Sequence, residues 1–269
     1  MSKTTRNTYN KYALLSRITY PSNGSTEYTY AKYIENLGTQ GTQENFRIEI
    51  RKEVAGGKEY NKKTYSYSQD NYTGYPSLPD PSNLVSSFSY WTASTDNNGF
   101  ETKITFNYKH LPTSIKKTDN GMQKEINTIS YNSDRLPILS IKTAFDPDGS
   151  SLSTVENYAY DQYRNITGYW GPLSNRDASN NPANDEHKTT YSYNSMFHYL
   201  IKKEYKEDAI TTIREEYVPT ADNKSVQWAR IYENGALKQQ TWYAYDAFGN
   251  MTEERKCCFQ HFSAVTFSN

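Results

Sequence analysis

Two carboxylates at equivalent places of a repeated segment are the residues best suited to chemistry. Asp161 and Asp246 each follow a Tyr-x-Tyr pair. Paired carboxylates that face each other across a cleft can act as acid and base in glycoside hydrolysis. An aspartate that opens a turn instead accepts backbone N–H groups with its carboxylate. Because these aspartates recur where a turn recurs, the sequence favours the structural role.

No other spacing indicates a catalytic or metal site. The histidines, at positions 110, 187, 198 and 261, form neither His-x-x-x-His nor His-Glu arrangements. The chain has no Gly-x-Ser-x-Gly elbow, no phosphate-cradling loop and no dinucleotide fingerprint. Asp146-Pro-Asp-Gly149 lacks the closing glutamate of a calcium loop and is expected to be a turn. The sequence therefore predicts no catalytic residue, no metal and no cofactor.

Aromatic side chains offer a second kind of site. Tyr169 and Trp170 precede Gly171-Pro172 and a polar segment, so they are the best candidates for an exposed platform on which a sugar ring stacks. The alternative is that these rings fill a core short of aliphatic residues, because tyrosine buries a large ring while keeping a hydroxyl for a partner. The sequence leaves both interpretations open.

Composition limits the classes of partner. Among 269 residues, 30 are Lys or Arg and 30 are Asp or Glu, which gives a formal net charge of zero. This balance argues against a nucleic-acid or anionic-membrane binder. No apolar run is long enough for a membrane helix, and the N-terminus lacks a signal-peptide pattern. Adjacent Cys257 and Cys258 cannot link distant segments, so no disulfide framework is expected.

Alternation with period two is the dominant pattern and predicts an all-β fold. Ile104 to Tyr108 alternates clearly, and Asn-Gly pairs such as Asn120-Gly121 and Asn234-Gly235 predict tight hairpin turns. Longer loop insertions are expected near residues 74–83 and 171–186. We expect a repeat region over residues 1–255 and a non-repeat tail over 256–269.

The alternating segments repeat. Tyr158 to Thr167 and Tyr243 to Thr252 match at six of ten positions. We expect the two tyrosines to share a face, the aspartate to open the turn and Gly249 to take positive φ. Arg164 replaces that glycine, so its turn must differ or be strained. The predicted structural motif residues are Tyr158, Tyr160, Asp161, Asn165, Tyr243, Tyr245, Asp246, Gly249 and Asn250.

The pattern Tyr-x-Tyr-Asp-x-x-Gly-Asn over Tyr243–Asn250 resembles the YD repeats of the RHS family. The resemblance implies a curved, spirally wound antiparallel sheet of hairpins, part of a hollow shell. In similar bacterial polymorphic toxins and insecticidal toxin complexes, such a shell encloses a C-terminal toxic polypeptide. Wall-associated relatives lie on the cell surface, and some members are described as carbohydrate-binding.

The expected function is thus a non-catalytic shell segment of a larger secreted or cell-surface protein, with further repeats or a toxin cargo as partners. The alternative is a carbohydrate-binding β module with glycan partners. The chain departs from the full family pattern because it holds few units and lacks the terminal core segment. A piece of such a sheet has unpaired edge strands at both ends, so we expect self-association or fraying at the termini.

Overall fold

The computed structural model describes residues 4–36, 41–68 and 88–258. These residues form β-strands and no α-helix, so the prediction of an all-β fold with antiparallel strands is confirmed. No described helix could span a membrane. The strands are β1 (Arg6–Tyr9), β2 (Leu15–Thr19), β3 (Ser25–Asn36), β4 (Thr42–Ala55), β5 (Lys58–Tyr67), β6 (Ser89–Asp96), β7 (Phe100–Asn107), β8 (Pro112–Asp119), β9 (Met122–Tyr131), β10 (Pro137–Phe145), β11 (Ser151–Tyr160), β12 (Ile166–Trp170), β13 (Lys188–Tyr193), β14 (Leu200–Lys206), β15 (Thr212–Pro219), β16 (Val226–Glu233), β17 (Ala236–Tyr245) and β18 (Met251–Cys258).

The chain divides into two units, which are described separately. Unit 1 comprises Met1–Ser130 and Ser140–Thr154, and unit 2 comprises Tyr131–Leu139 and Val155–Asn269. In unit 1, β1 to β9 pair in chain order, each antiparallel to the next. In unit 2, β11 to β18 pair in the same way. Each unit is therefore a succession of hairpins, the arrangement that alternation and frequent turns indicate.

The predicted tight turns are confirmed at two places. β8 and β9 are joined by Asn120 (φ 48°) and Gly121 (φ 83°), and β16 and β17 by Asn234 (φ 48°) and Gly235 (φ 83°). Positive φ at both central residues defines the type I′ hairpin turn, and its twist matches that of the flanking strands. These turns keep successive strands adjacent without longer connections.

Burial is shallow throughout the described residues. Ala93, at 4% exposure, is the only hydrophobic residue among them that is fully buried. The buried polar residues are few as well, and Thr26 is the most enclosed, at 2%. Strand side chains are mostly half-buried, so backbone ladders and partly covered rings hold each unit. This agrees with the thin aromatic core expected from composition.

Two predicted boundaries can be compared with the structure in part: the loop near residues 171–186 and the start of the tail at residue 256. The segment between Trp170 and Lys188 contains a single isolated bridge, which joins Arg176 and Pro182. β18 continues through Lys256 to Cys258, so the first residues of the predicted tail belong to a strand. The expected insertion near 74–83 and residues 259–269 lie outside the described residues. The division into repeat region and tail stays a prediction.

Gly99 provides a test of turn packing in unit 1. Its φ is +82°, and a Cβ there would lie 3.0 Å from Cγ of Asn120. Gly121 has φ +83° but open space around the same position. A left-handed backbone costs alanine roughly 1–2 kcal/mol. We expect Gly99→Ala to lower the free energy of unfolding by more than the control Gly121→Ala, in urea titrations followed by tryptophan fluorescence. Equal losses would show that the Asn120 side chain moves away freely.

Candidate functional site

The two candidate carboxylates open five-residue loops at the ends of β11 and β17. In the second loop, the Asp246 carboxylate accepts hydrogen bonds from the backbone N–H of Phe248 (2.8 Å) and of Asn250 (2.9 Å). The Asn250 side-chain amide donates to its other oxygen (2.9 Å). The backbone N–H of Asp246 donates to the Asn250 carbonyl, which closes the loop at 2.9 Å. Each carboxylate oxygen is thus engaged by its own turn, an aspartate-stabilised arrangement.

The first loop has the same contacts. Asp161 accepts from the backbone N–H of Tyr163 (2.8 Å) and of Asn165 (2.9 Å), and from the Asn165 side chain (3.1 Å). Partial burial opposes ionisation of Asp161, but the hydrogen bonds from Asn165 and Tyr163 hold its pKa below the ordinary value. The Asn250 side chain and backbone do the same for the pKa of Asp246. Both groups are held as carboxylates that stabilise turns.

The fourth residue of both loops has a left-handed backbone, whether it is glycine or arginine. Gly249 has φ 85°, and Arg164 at the equivalent place has φ 71°. Of the two outcomes expected for Arg164, a different turn or strain, the loop keeps its form and the arginine takes the unfavourable backbone region. Arg135 (φ 66°) does so in the loop that starts at Asn132. The turn geometry therefore dominates over residue preference.

The loops that Asp161 and Asp246 open are each followed by a β-bulge. Tyr160 pairs with Ile166 while Ala159 pairs with Gly168, so Thr167 is an extra residue in β12. The hairpin of β17 and β18 leaves Thr252 as the extra residue in the same way. A bulge interrupts the regular ladder next to the inserted residue.

The second tyrosine of the repeat bonds next to such a bulge. Its ring crosses to the preceding strand, and its hydroxyl donates to a backbone carbonyl there. For Leu15, Ile48, Ile166 and Val226, this carbonyl belongs to the residue just before an extra one. We call this contact a tyrosine tie. The ties in unit 2 are Tyr160 to Pro137 (2.7 Å), Tyr193 to Ile166 (2.8 Å) and Tyr245 to Val226 (2.8 Å), and those in unit 1 are Tyr30 to Leu15 (2.9 Å) and Tyr67 to Ile48 (2.8 Å).

The ties explain what two of the predicted motif tyrosines do. Tyr160 and Tyr245 both make one, and burial raises the pKa of Tyr160. Tyr193 has the same role without an aspartate after it, since Asn194 opens its loop. The repeat spacing pointed to the tyrosines, but the acceptors are backbone carbonyls that no side-chain pattern reveals.

The first tyrosine of each pair is in a different setting. Tyr158 donates its hydroxyl to Glu156 (2.9 Å), and Tyr169 on the adjacent strand donates to the other oxygen of the same carboxylate (2.7 Å). Burial, followed by these contacts with Glu156, raises the pKa of Tyr169 to about 12 and that of Tyr158 further. Both phenols are therefore protonated donors. Tyr243 lies in β17 opposite Glu254 of β18.

Tyr169 and Trp170 do not form one platform. They are consecutive residues of β12, so their side chains lie on opposite faces of the strand. The Trp170 indole donates to Asp185 (3.0 Å), and the Lys188 ammonium lies 4.5 Å from its ring centroid. A Cβ on Gly168 would approach the same ring to 3.0 Å, so this glycine makes room for it. Sugar stacking at Tyr169 and Trp170 stays a prediction that these contacts do not favour.

Cations cover the other tryptophans too. Lysine or arginine side chains lie over each of these rings, a contact that stabilises partly exposed aromatic groups. The pairs are Lys103 over Trp91 (3.9 Å), Arg230 over Trp228 (5.7 Å) and Arg255 over Trp242 (5.2 Å).

Arg176 fastens the long connection between β12 and β13. One terminal nitrogen donates to the carbonyls of Val155 (2.7 Å), Gly171 (2.7 Å) and Trp170 (3.2 Å). Burial lowers the pKa of this guanidinium. Sequence reasoning missed it because a single arginine in a polar loop carries no distinguishing pattern.

The chain is similar to several solved structures at low sequence identity. No family model matches the chain, and no curated protein matches it. Crystal structures of TcdB2-TccC3-TEV and TcdB2-TccC3-Cdc42 align over 91% and 90% of the chain, both at 12% identity, with TM-scores of 0.36 and 0.34. The chain spans 16% of the length of each. A porin-like protein from Bacteroides uniformis aligns over 94% of the chain and 91% of its own length, at 11% identity and a TM-score of 0.31.

The tyrosine ties can be tested one at a time. Tyr193→Phe and Tyr245→Phe each keep the ring but remove the donor, so we expect each to lower the free energy of unfolding by about 1 kcal/mol. Tyr163→Phe is the control, because this tyrosine is 53% exposed and its ring stacks on His198. Urea denaturation gives the three values. A loss in the control equal to that of the tie variants would contradict the assignment.

The loop carboxylates predict a dependence on acid. The pKa of Asp246 in the folded chain lies below its ordinary value of 3.8, so its contribution is complete above that pH and is lost as the pH falls through the folded value. We expect Asp246→Asn to be less stable than the native chain at pH 7, with a difference that shrinks towards pH 2. Denaturation at stepwise pH measures this. A difference that stays constant with pH would refute the role of the charge.

Proposed function

We propose that this chain is a non-catalytic wall segment of an RHS-type shell, part of a larger secreted or cell-surface protein. The observation that carries this proposal is the tyrosine tie, which recurs from hairpin to hairpin within each unit. Such ties join each hairpin to the one before it, which is the construction of a repeat array whose stability is a sum of neighbour contacts.

The shallow burial supports the same role. Within the described ranges, ladders and half-covered rings replace a closed apolar core. The candidate carboxylates and phenols are occupied by turns and ties, which leaves them structural. A shell wall needs an unbroken series of paired strands more than it needs a buried apolar core. The strand ladders within each unit form such a series. The remaining repeats and an enclosed toxic polypeptide are the partners that the proposal implies.

The size of the native protein tests the proposal. An antibody raised against this chain should detect, in reducing gels of the native source, a band far above the 31.1 kDa of the chain itself. The purified chain serves as the mass marker and as the competitor that abolishes the signal. If all native signal lies at the mass of the marker, a segment of a larger shell is excluded.

A further inference from the structure

One end of unit 2 carries a cavity between two neighbouring loops. The cavity measures about 570 Å³ and lies between residues 220–225, which join β15 to β16, and the loop that Asp246 opens. Both loops lie at the same end of the unit, because β15 to β18 pair in chain order and are antiparallel. Sites for small ligands and side chains typically enclose roughly 300–1,000 Å³. The cavity is therefore large enough to be a binding site.

Hydrogen bonds within the protein hold both walls of the cavity. In the first wall, the backbone N–H of Thr220 donates to the Ser225 carbonyl (2.9 Å), and the backbone N–H of Ser225 donates to the Thr220 hydroxyl (3.2 Å). At the second wall, Tyr245 lines the cavity and makes its tie to Val226 (2.8 Å). Walls that are fixed beforehand lose little conformational freedom when a ligand binds. The cavity is thus pre-formed.

Carboxylates dominate the charge of the cavity. Asp222 and Asp246 line it, and Lys224 is the only cation among its described lining residues. Oδ1 of Asp222 accepts from the Thr220 hydroxyl (2.6 Å) and from the backbone N–H of Lys224 (3.2 Å), and no described side chain donates to Oδ2. The hydrogen bond from Thr220 lowers the pKa of Asp222, and the Asn250 side chain lowers that of Asp246. The cavity therefore offers an ionised carboxylate oxygen to a cationic donor.

An exposed aromatic ring stands beside these carboxylates. Phe248 lines the cavity and is 92% exposed, and Tyr243 lines it as well. A planar guanidinium group stacks on aromatic faces and bonds a carboxylate through its fork of N–H donors, whereas an ammonium group is a compact and strongly hydrated charge. The combination of ring and carboxylate therefore favours a guanidinium group over a lysine side chain.

Unit 2 holds two of its own arginines in this manner. The Arg214 guanidinium lies 4.2 Å from the ring centroid of Tyr232, and its Nε lies 3.0 Å from the Glu216 carboxylate. Arg255 lies 5.2 Å from the ring centroid of Trp242 and pairs with a glutamate of its own strand. No arginine is among the described residues that line the cavity. The cavity thus presents the ring and the carboxylate without the guanidinium that joins them elsewhere in the unit.

We propose that this cavity binds an arginine side chain of a polypeptide partner, with the guanidinium stacked on Phe248 and hydrogen-bonded to Oδ2 of Asp222. The high exposure of Phe248 leaves the main chain of the partner outside while the side chain enters. The site needs only the two loops of unit 2, so it does not depend on a role in a shell wall. Either proposal can fail while the other stands.

Three short peptides test the chemistry of the site. Acetyl-Gly-Arg-Gly-amide is titrated into the full ¹⁵N-labelled chain and followed by nuclear magnetic resonance, with the citrulline and lysine peptides as matched probes. We expect the arginine peptide to shift the backbone signals of residues 220–225 and 246–250. Citrulline keeps the shape but loses the charge, so its peptide should bind about tenfold more weakly, the equivalent of one charge-assisted hydrogen bond. The lysine peptide should also bind more weakly, because it lacks the planar fork.

Variants of the two contact residues locate the site. Asp222→Asn keeps the Oδ1 contacts and should weaken binding of the arginine peptide about tenfold, and Phe248→Ala should weaken it about threefold through the lost ring. The controls are Asp208→Asn, a turn aspartate that accepts from the backbone N–H of Ile210 (2.9 Å), and Phe197→Ala, an exposed ring of another loop. Neither control should change binding. Urea denaturation confirms that each variant folds.

Four outcomes would overturn the proposal. The first is an arginine peptide that causes no shifts at millimolar concentration, and the second is a citrulline peptide that binds as well as the arginine peptide. The third is a set of shifts confined to residues outside 220–225 and 242–250. The fourth is native affinity in both Asp222→Asn and Phe248→Ala, which would show that neither residue contacts the guanidinium.

Discussion

The hydrogen bond from a tyrosine hydroxyl to a carbonyl beside a bulge is the interaction that joins successive hairpins. The five-residue loops that Asp161 and Asp246 open have a left-handed fourth residue, and the strand after each loop carries one extra residue. The bulge interrupts the hydrogen-bond ladder between the two strands, so a backbone carbonyl beside the bulge needs a hydrogen-bond donor from elsewhere. A tyrosine of the next strand donates its hydroxyl to this carbonyl across the gap. Bulge and tyrosine thus form one recurring motif.

The two carboxylates that resemble catalytic residues are engaged by their own loops. The Asp161 and Asp246 carboxylates each accept three hydrogen bonds from their own loops. An acid–base pair needs an oxygen free to face a substrate and a second carboxylate across a cleft. In this chain the aspartates stabilise their loops by accepting these hydrogen bonds. The hydrogen-bonding capacity of these carboxylates is used within their own loops.

Much of the architecture follows from local patterns, and the remainder depends on the backbone. Period-two alternation and the pairs Asn120-Gly121 and Asn234-Gly235 predict strands and hairpins because these residue types have few other conformations available. The tie acceptors could not be predicted, since any residue type supplies a carbonyl. The sequence leaves open whether Arg164 changes its turn or is strained, and the structure shows the strained backbone because the loop keeps its form. The opposite faces of Tyr169 and Trp170 follow from strand geometry, because successive side chains of a strand alternate in direction.

The acceptors of the ties have a consequence for how such chains diverge. Proline, isoleucine, valine and leucine all occupy that position, because only the main-chain oxygen takes part. The contact therefore requires a tyrosine on one side, whereas on the other side any of these four apolar residues serves. A chain that keeps these phenols and apolar acceptors at hairpin intervals can retain the contacts while other positions change. In such proteins, sequence similarity between relatives then becomes undetectable before the fold itself changes.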